Sequence, residues 1–410
     1  MLKATVVKSV CALAVIPVLA VGCVKSMAGQ SSADKVEVTA ATSTTSAATL
    51  RTALNALLSE HVILAAAATS AALDGRDAEF KAAAGALDAN SVDIAKAIGS
   101  VYGADAEQAF LPLWRRHIGF AVDYTVGVAT KDAAKQQKAV ENLIAYTQDF
   151  GAFLESANPN LPKAVVADLV KHHVVTLKDV IDAQASRDYT RAYAAQRAAT
   201  AHMRMIADPL AQAIVKQFPD KFAGNPLAAA AGLRTSLNVA LREHAYLAAA
   251  ATNAALGGRD AEFKAAAAAL DGNSVDIAKS IGFVYGGDAE QAFLPLWRRH
   301  IGFFVDYTVG VATKDKSKQD KAVSDLVGYT QDFGAFLNSA SPNLPKAVVA
   351  DLVKHHVLTL KDVVDAQATK DPARAFTAVR LAAGHMQMIA DPLAETIVKQ
   401  FSDRFTASAK

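Results

Sequence analysis

From Leu50 onward the chain repeats one pattern: runs in which apolar side chains recur at spacings of three and four, separated by short polar breaks. Such spacing gathers the apolar positions on one face of an α-helix and leaves the polar ones to water. One stripe holds Leu54, Leu58, His61, Leu64 and Ala68, and a second holds Phe110, Leu113, Trp114, His117 and Tyr124. A third holds Val166, Leu169, Val170, His173, Leu177 and Val180, and a fourth holds Ala195, Ala198, Ala199, His202, Met205, Ile206 and Leu210. Each stripe has a histidine at its middle. His172 falls off its stripe, which suits a surface position or one that supports an inward histidine.

His61, His117 and His173 are spaced evenly, each with a leucine four residues before it. Each is followed by a polar break, namely Asp74-Gly75-Arg76-Asp77, Lys131-Asp132 and Arg187-Asp188, and then by a second helical run. The pattern predicts three antiparallel hairpins, six helices of roughly 20–25 residues, closing around one core. In the second run of each hairpin Asn90, Tyr146 and His202 share one level, so Asn90 is expected to join the same buried network.

The whole arrangement then recurs. His61 returns as His244, His117 as His300, His173 as His356 and His202 as His385, at one constant offset. Residues 108–119 and 291–302 are identical. The chain is therefore expected to be all-α, with two tandem six-helix bundle domains at 50–222 and 233–406. Between them, 223–232 form a linker marked by the breaker Gly224-Asn225-Pro226. Pro162, Pro209 and Asp208 read as helix-start or kink signals.

Composition agrees with helix. Of 410 residues 52% are hydrophobic, yet only 7% are aromatic, and alanine supplies much of the rest. The formal charge is +2, and no basic stripe with interleaved aromatics is present, so nucleic acid is not an expected partner. The first residues add an address. A basic start, an apolar run over 9–21 and a small residue before Cys23 describe a secretory signal over 1–22. Leu19-Ala20-Val21-Gly22-Cys23 resembles a bacterial lipobox, in which the cysteine is lipidated and becomes the first mature residue. Residues 23–49 then read as a lipidated Cys23 followed by a flexible Ser/Thr/Ala tether. The expected location is the outer face of the cytoplasmic membrane or the cell envelope, with the membrane as a partner through the lipid. Cys11 would leave with the signal, so neither a disulfide nor a thiolate metal site is expected.

The chemistry rests on histidine and methionine. Four of the six methionines lie in 201–209 and 384–392, as Met203, Met205, Met386 and Met388, beside His202 and His385. On a helix His202 and Met205 share a face, as do His385 and Met388, while Met203 and Met386 point about 100° away. Imidazole with thioether is a soft donor set that suits copper. The candidate ligands are His61, His117, His173, His202 and Met205, then His244, His300, His356, His385 and Met388. Met203, Met386, His172 and His355 are secondary. Copper is the expected ion, and non-covalent haem is the alternative use of His and Met in a bundle. The competing reading is a cell-surface structural or interaction module whose buried histidines only organise the core. Glu60 and Glu243 precede inward histidines and read as solvated, and Arg115 and Arg116 as surface-paired. There is no nucleophile elbow, phosphate loop or metalloprotease motif, so a binding protein is expected rather than an enzyme.

The segment 113–120, Leu-Trp-Arg-Arg-His-Ile-Gly-Phe, with Asp123-Tyr124-Thr125 and His202-Met203, resembles a group of secreted helical proteins of spore-forming bacteria often labelled "copper amine oxidase". The resemblance spans nearly all of both copies and implies an extracytoplasmic, copper-related protein. Oxidase activity would need a cofactor-forming tyrosine in an Asn-Tyr-Asp/Glu setting and a β-rich domain, and the sequence offers neither.

Overall fold

A computed structural model describes residues 41–406. The expected signal segment 1–22, Cys23 and most of the expected tether lie outside the described residues. Within them the chain forms thirteen helices and no strand. The first repeat comprises α1 (Ser46–Leu73), α2 (Asp77–Tyr102), α3 (Ala104–Ala129), α4 (Ala133–Ala157), α5 (Lys163–Ala185) and α6 (Tyr189–Gln217). The second comprises α7 (Ala229–Leu256), α8 (Asp260–Tyr285), α9 (Gly287–Ala312), α10 (Lys316–Ala340), α11 (Lys346–Ala368) and α12 (Pro372–Gln400), followed by a single turn, α13 (Ser402–Phe405).

The hairpin turns form where the polar breaks stand. Each helix before a break ends on one residue in the left-handed region: Gly75, Lys131, Arg187, Gly258, Lys314 or Lys370, with φ between 56° and 67°. In the first turn the N–H of Arg76 closes back on the carbonyl of Ala71, and in the second Asp132 closes on Gly127. These bonds satisfy carbonyls that a helix end leaves open. Asp132, Asp188, Asp315 and Asp371 then cap the next helix, each accepting from the N–H three residues on.

Within a repeat each helix packs on its sequence neighbours and α6 returns to α1, closing a ring. The odd helices α1, α3 and α5 also touch one another, so they form the inner triangle and the even helices the outside. Three similar hairpins thus surround a pseudo-three-fold axis, and α7, α9 and α11 do the same in the second repeat. The ring is closed by Arg51 of α1, which grips Asp208 of α6 at 2.7 and 2.6 Å; Asn55 binds the same carboxylate. Pro209 therefore lies inside α6 rather than at a helix start, whereas Pro162 does precede α5.

Three sequence expectations need correction here. The helices α1 and α7 begin four residues before the expected boundaries 50 and 233, and α1 thereby takes in the end of the expected tether. Thr42 and Ser43 are not free either, because the Glu395 carboxylate accepts from the Ser43 N–H at 2.8 Å and its hydroxyl at 2.7 Å. The joint also packs down. Ala223 accepts from the Ala47 N–H, and a side chain on Gly224 (φ 92°) would collide with Thr45.

The two repeats are one compact unit rather than separate bodies. Ile63, Leu64, Leu177 and Ile181 of the first share a hydrophobic cluster with Leu241, Tyr246 and most of the second core. Thr52 and Thr235, equivalent positions, bond to each other at 3.0 Å and mark a pseudo-two-fold axis. Helix α1 is apolar and long enough to cross a membrane, but 67% of its apolar stretch is buried inside the protein.

Candidate metal centre

The inner triangle of helices carries one histidine per helix at the same level. His61 of α1, His117 of α3 and His173 of α5 each offer a ring nitrogen, and these nitrogens all lie within 4.8 Å of one another. His244, His300 and His356 repeat the arrangement. All six are buried; His61 and His244 are each only 1% exposed. The even 56-residue spacing is the cause, since it puts equivalent residues of three equivalent hairpins on one pseudo-three-fold axis.

The Nε2 atoms of His61 and His117 are 3.3 Å apart, as are those of His244 and His300. Zinc–imidazole bonds of about 2.0–2.1 Å in tetrahedral geometry separate two ligand nitrogens by about 3.3 Å. The pair is thus already at ligand spacing. Trp114 lies edge-on to His117 with centroids 4.6 Å apart, and Tyr146 packs on its other side at 5.1 Å. Behind Trp114, Phe110 stacks at 5.3 Å. These rings make an aromatic wall beside the triad.

Burial governs the protonation state. It pushes His117 down to about 3, and His173 to about 4 with help from His202. Burial and the neighbouring imidazoles hold His61 well below the ordinary histidine range. In the second repeat His300 and His356 both fall to about 3, again chiefly through burial. The rings are therefore neutral near pH 7 and present lone pairs, the form that binds metals. Hydrogen bonding leaves them largely unused. The Nδ1 atoms of His61 and His173 have no partner in the protein, nor do the Trp114 indole N–H and the Tyr146 hydroxyl, while that of His117 turns toward the Trp114 carbonyl. In His356 neither ring nitrogen has one. Three buried histidines per repeat could thus hold a metal ion.

The other candidate ligands are placed differently. His202 lies on α6 and donates from Nε2 to the Leu169 carbonyl at 3.1 Å, beside the triad rather than in it; His385 does the same to Leu352. Met205 and Met388 are 55% and 56% exposed, whereas Met203 and Met386 are buried in the core. The apolar face of α6 is centred on Ala199, Met203, Ala207, Leu210 and Ile214, not on Met205. Alanine on several sides of this helix left its phase open, and the larger Met203 sets it. The thioether therefore leaves the donor set. His172 is exposed, as expected, but its ring meets His202 at 4.2 Å, and His355 meets His385 at 4.0 Å.

Glu60 departs from expectation most. It is 3% exposed, because α12 and α7 of the other repeat cover it. It accepts from Tyr246, from Arg380 at 3.0 Å and from Asn90 at 3.0 Å. Burial raises its pKa, but Arg380, Arg242 and Tyr246 more than offset this and hold it below the ordinary value. Asn90 is buried, but it bonds Glu60 and the Leu57 carbonyl, not Tyr146 or His202, so its network is not the expected one. Glu243 is likewise paired, to Arg197 and Asn273. Arg115 and Arg116 are surface-paired, with Asp88 and Asp149.

A cleft of about 770 Å³ lies between the repeats, and a smaller one of about 340 Å³ lies beside Pro162 and Pro209. No histidine lines either of these two. Comparison with protein-family models, with curated proteins and with solved structures gives no match.

Proposed function

We propose that the protein binds one transition-metal ion in each repeat, through His61, His117 and His173 and through His244, His300 and His356. The observation that carries this is the convergence of three neutral, buried imidazoles with unused nitrogens, built twice in one chain. An ion held there would take the Nε2 lone pairs of His61 and His117, which already face each other at 3.3 Å. Copper remains our first choice. With the methionines outside, the reason is no longer softness but the Irving–Williams order, which ranks Cu(II) above Zn(II) at a given nitrogen set. Haem fits poorly, because a bare ion fits among nitrogens this close and a macrocycle does not. The role is binding rather than catalysis, exercised outside the cytoplasm on a lipid anchor at Cys23; this part rests on the N-terminal sequence pattern and on the resemblance to secreted helical proteins.

The second reading, buried histidines that only organise the core, draws on the Nε2–Nε2 contact, which one shared proton could also explain. A thermal melt of the metal-stripped full chain decides between them. Saturation with the right ion at about 1,000 times its Kd adds roughly 4 kcal/mol of stability. We expect a rise with copper, a smaller one with Zn(II), and a stoichiometry of two ions per chain. The rise should vanish in H61A/H244A and persist in M205A/M388A. If no ion raises the melting temperature, the metal reading fails and the structural reading stands.

A further inference from the structure

The triad is enclosed, so an ion must reach it by some path. Around each triad three outer pairs occupy equivalent positions, each made of the residue before a triad histidine and the residue at the shared level of the next helix. In the first repeat these are Glu60 with Asn90, Arg116 with Tyr146, and His172 with His202. The first pair is closed by Arg380 and Tyr246 from the other repeat. In the second, the Arg116 guanidinium lies 5.7 Å over the Tyr146 ring and is pinned to Asp149. A cation approaching there meets an Arg–Asp pair laid over the ring, with no free donor nitrogen.

The third pair differs in both charge and access. His172 is exposed and stacks edge-on against His202, which is 6% exposed and leans on α5 at Leu169, one turn before His173. Because a carbonyl only accepts, the proton of neutral His202 sits on Nε2, and Nδ1 carries the lone pair. That Nδ1 is buried and has no partner. The second repeat reproduces the set: Glu243 is closed by Arg197, Arg299 covers Tyr329, and His355 meets His385.

We propose that His172 with His202, and His355 with His385, form an entry site that captures a divalent metal ion from solvent and passes it to the triad through His173 or His356. This rests on the triad's being a metal site. His172 supplies the exposed first imidazole, and His202 Nδ1 the buried second. The ion then exchanges one nitrogen ligand for another, never crossing bare hydrocarbon.

The test is the rate at which the metal-stripped full chain takes up Co(II), followed through the visible absorption of the histidine-bound ion after rapid mixing. H172A/H355A should slow uptake about tenfold or more, yet reach the same final spectrum and the same two ions per chain. H202Q/H385Q should slow it similarly, since the amide keeps the donor to the Leu169 carbonyl and lacks the Nδ1 lone pair. R116A/R299A, which alters a neighbouring outer pair, should not slow it. Normal final loading with unchanged rates in both histidine variants would overturn the entry site and leave the triad standing. No Co(II) uptake by the unmutated chain, together with no rise in melting temperature with copper or Zn(II), would remove both.

Discussion

A single metal-free imidazole in this core responds to acid. An unfolded histidine titrates near 6.5, while His117, His300 and His356 sit at about 3 and His173 at about 4. Folded pKa values below unfolded ones mean that the unfolded chain takes up more protons as pH falls. The stability is thus present above about pH 6.5 and is lost toward the folded values. Each histidine contributes about 1.4 kcal/mol per pH unit in that window. The shift has the same direction in His61 and His244, so all six add to the loss as pH falls. The paired carboxyls of Glu60, Asp208 and Asp391 are held below the ordinary range and do not add to the loss there. We expect the urea midpoint to fall steeply between pH 7.5 and 5.5, and less steeply in H61L/H244L. A flat profile would show that the triad is hydrated or already charged. The triad was legible in the sequence because three histidines share one period with a leucine before each. The exclusion of His202 was not, because the same period counts α6 as a fourth inward helix and cannot show that the odd helices form the inner layer.

At the scale of helices, the polar breaks were legible because left-handed turns and aspartate caps have local chemistry. The burial of Glu60 was not, since its partners Tyr246 and Arg380 are 186 and 320 residues away. The contact holds α1 of one repeat to α12 of the other, and Arg380 reaches on to Asp93 of α2 at 2.8 Å. Its counterpart Arg197 joins α6 to Glu243 of α7 and Asp276 of α8. The two clasps are unequal: the Glu60 side chain is 3% exposed and that of Glu243 12%. Removing one partner of a buried pair costs about 3–5 kcal/mol, while surface pairs contribute about 0–1. R380M should therefore destabilise by about 3 kcal/mol and R197M by about 1, read from denaturant midpoints at constant slope. Equal losses would mean that water reaches Glu60 as freely as Glu243.

For the whole molecule, the duplication leaves open whether the two repeats act together, and the packing argues for one body. Ile63, Leu64, Leu177 and Ile181 belong to the same cluster as most of the second core, so neither repeat can unfold without exposing the other's apolar surface. Thr52 and Thr235 meet on the pseudo-two-fold axis, which places α1 against α7 along the middle of the molecule. A self-facing surface of this kind is how a symmetric dimer would bury its interface. Here the two halves are already linked, and the joint at Gly224 is packed onto the start of α1. The expected calorimetric trace is a single transition whose van't Hoff and calorimetric enthalpies agree. L64A sits in the first repeat but in the shared cluster, and a buried Leu→Ala change costs about 2–5 kcal/mol. It should move that one transition down as a whole. Two resolved transitions, with only one displaced, would mean that each bundle is stable alone and that the shared cluster contributes little. The same coupling should extend to the metal, because an ion held by the first triad then stabilises the second repeat as well. In H244A, with one triad removed, copper should still raise a single transition rather than split it.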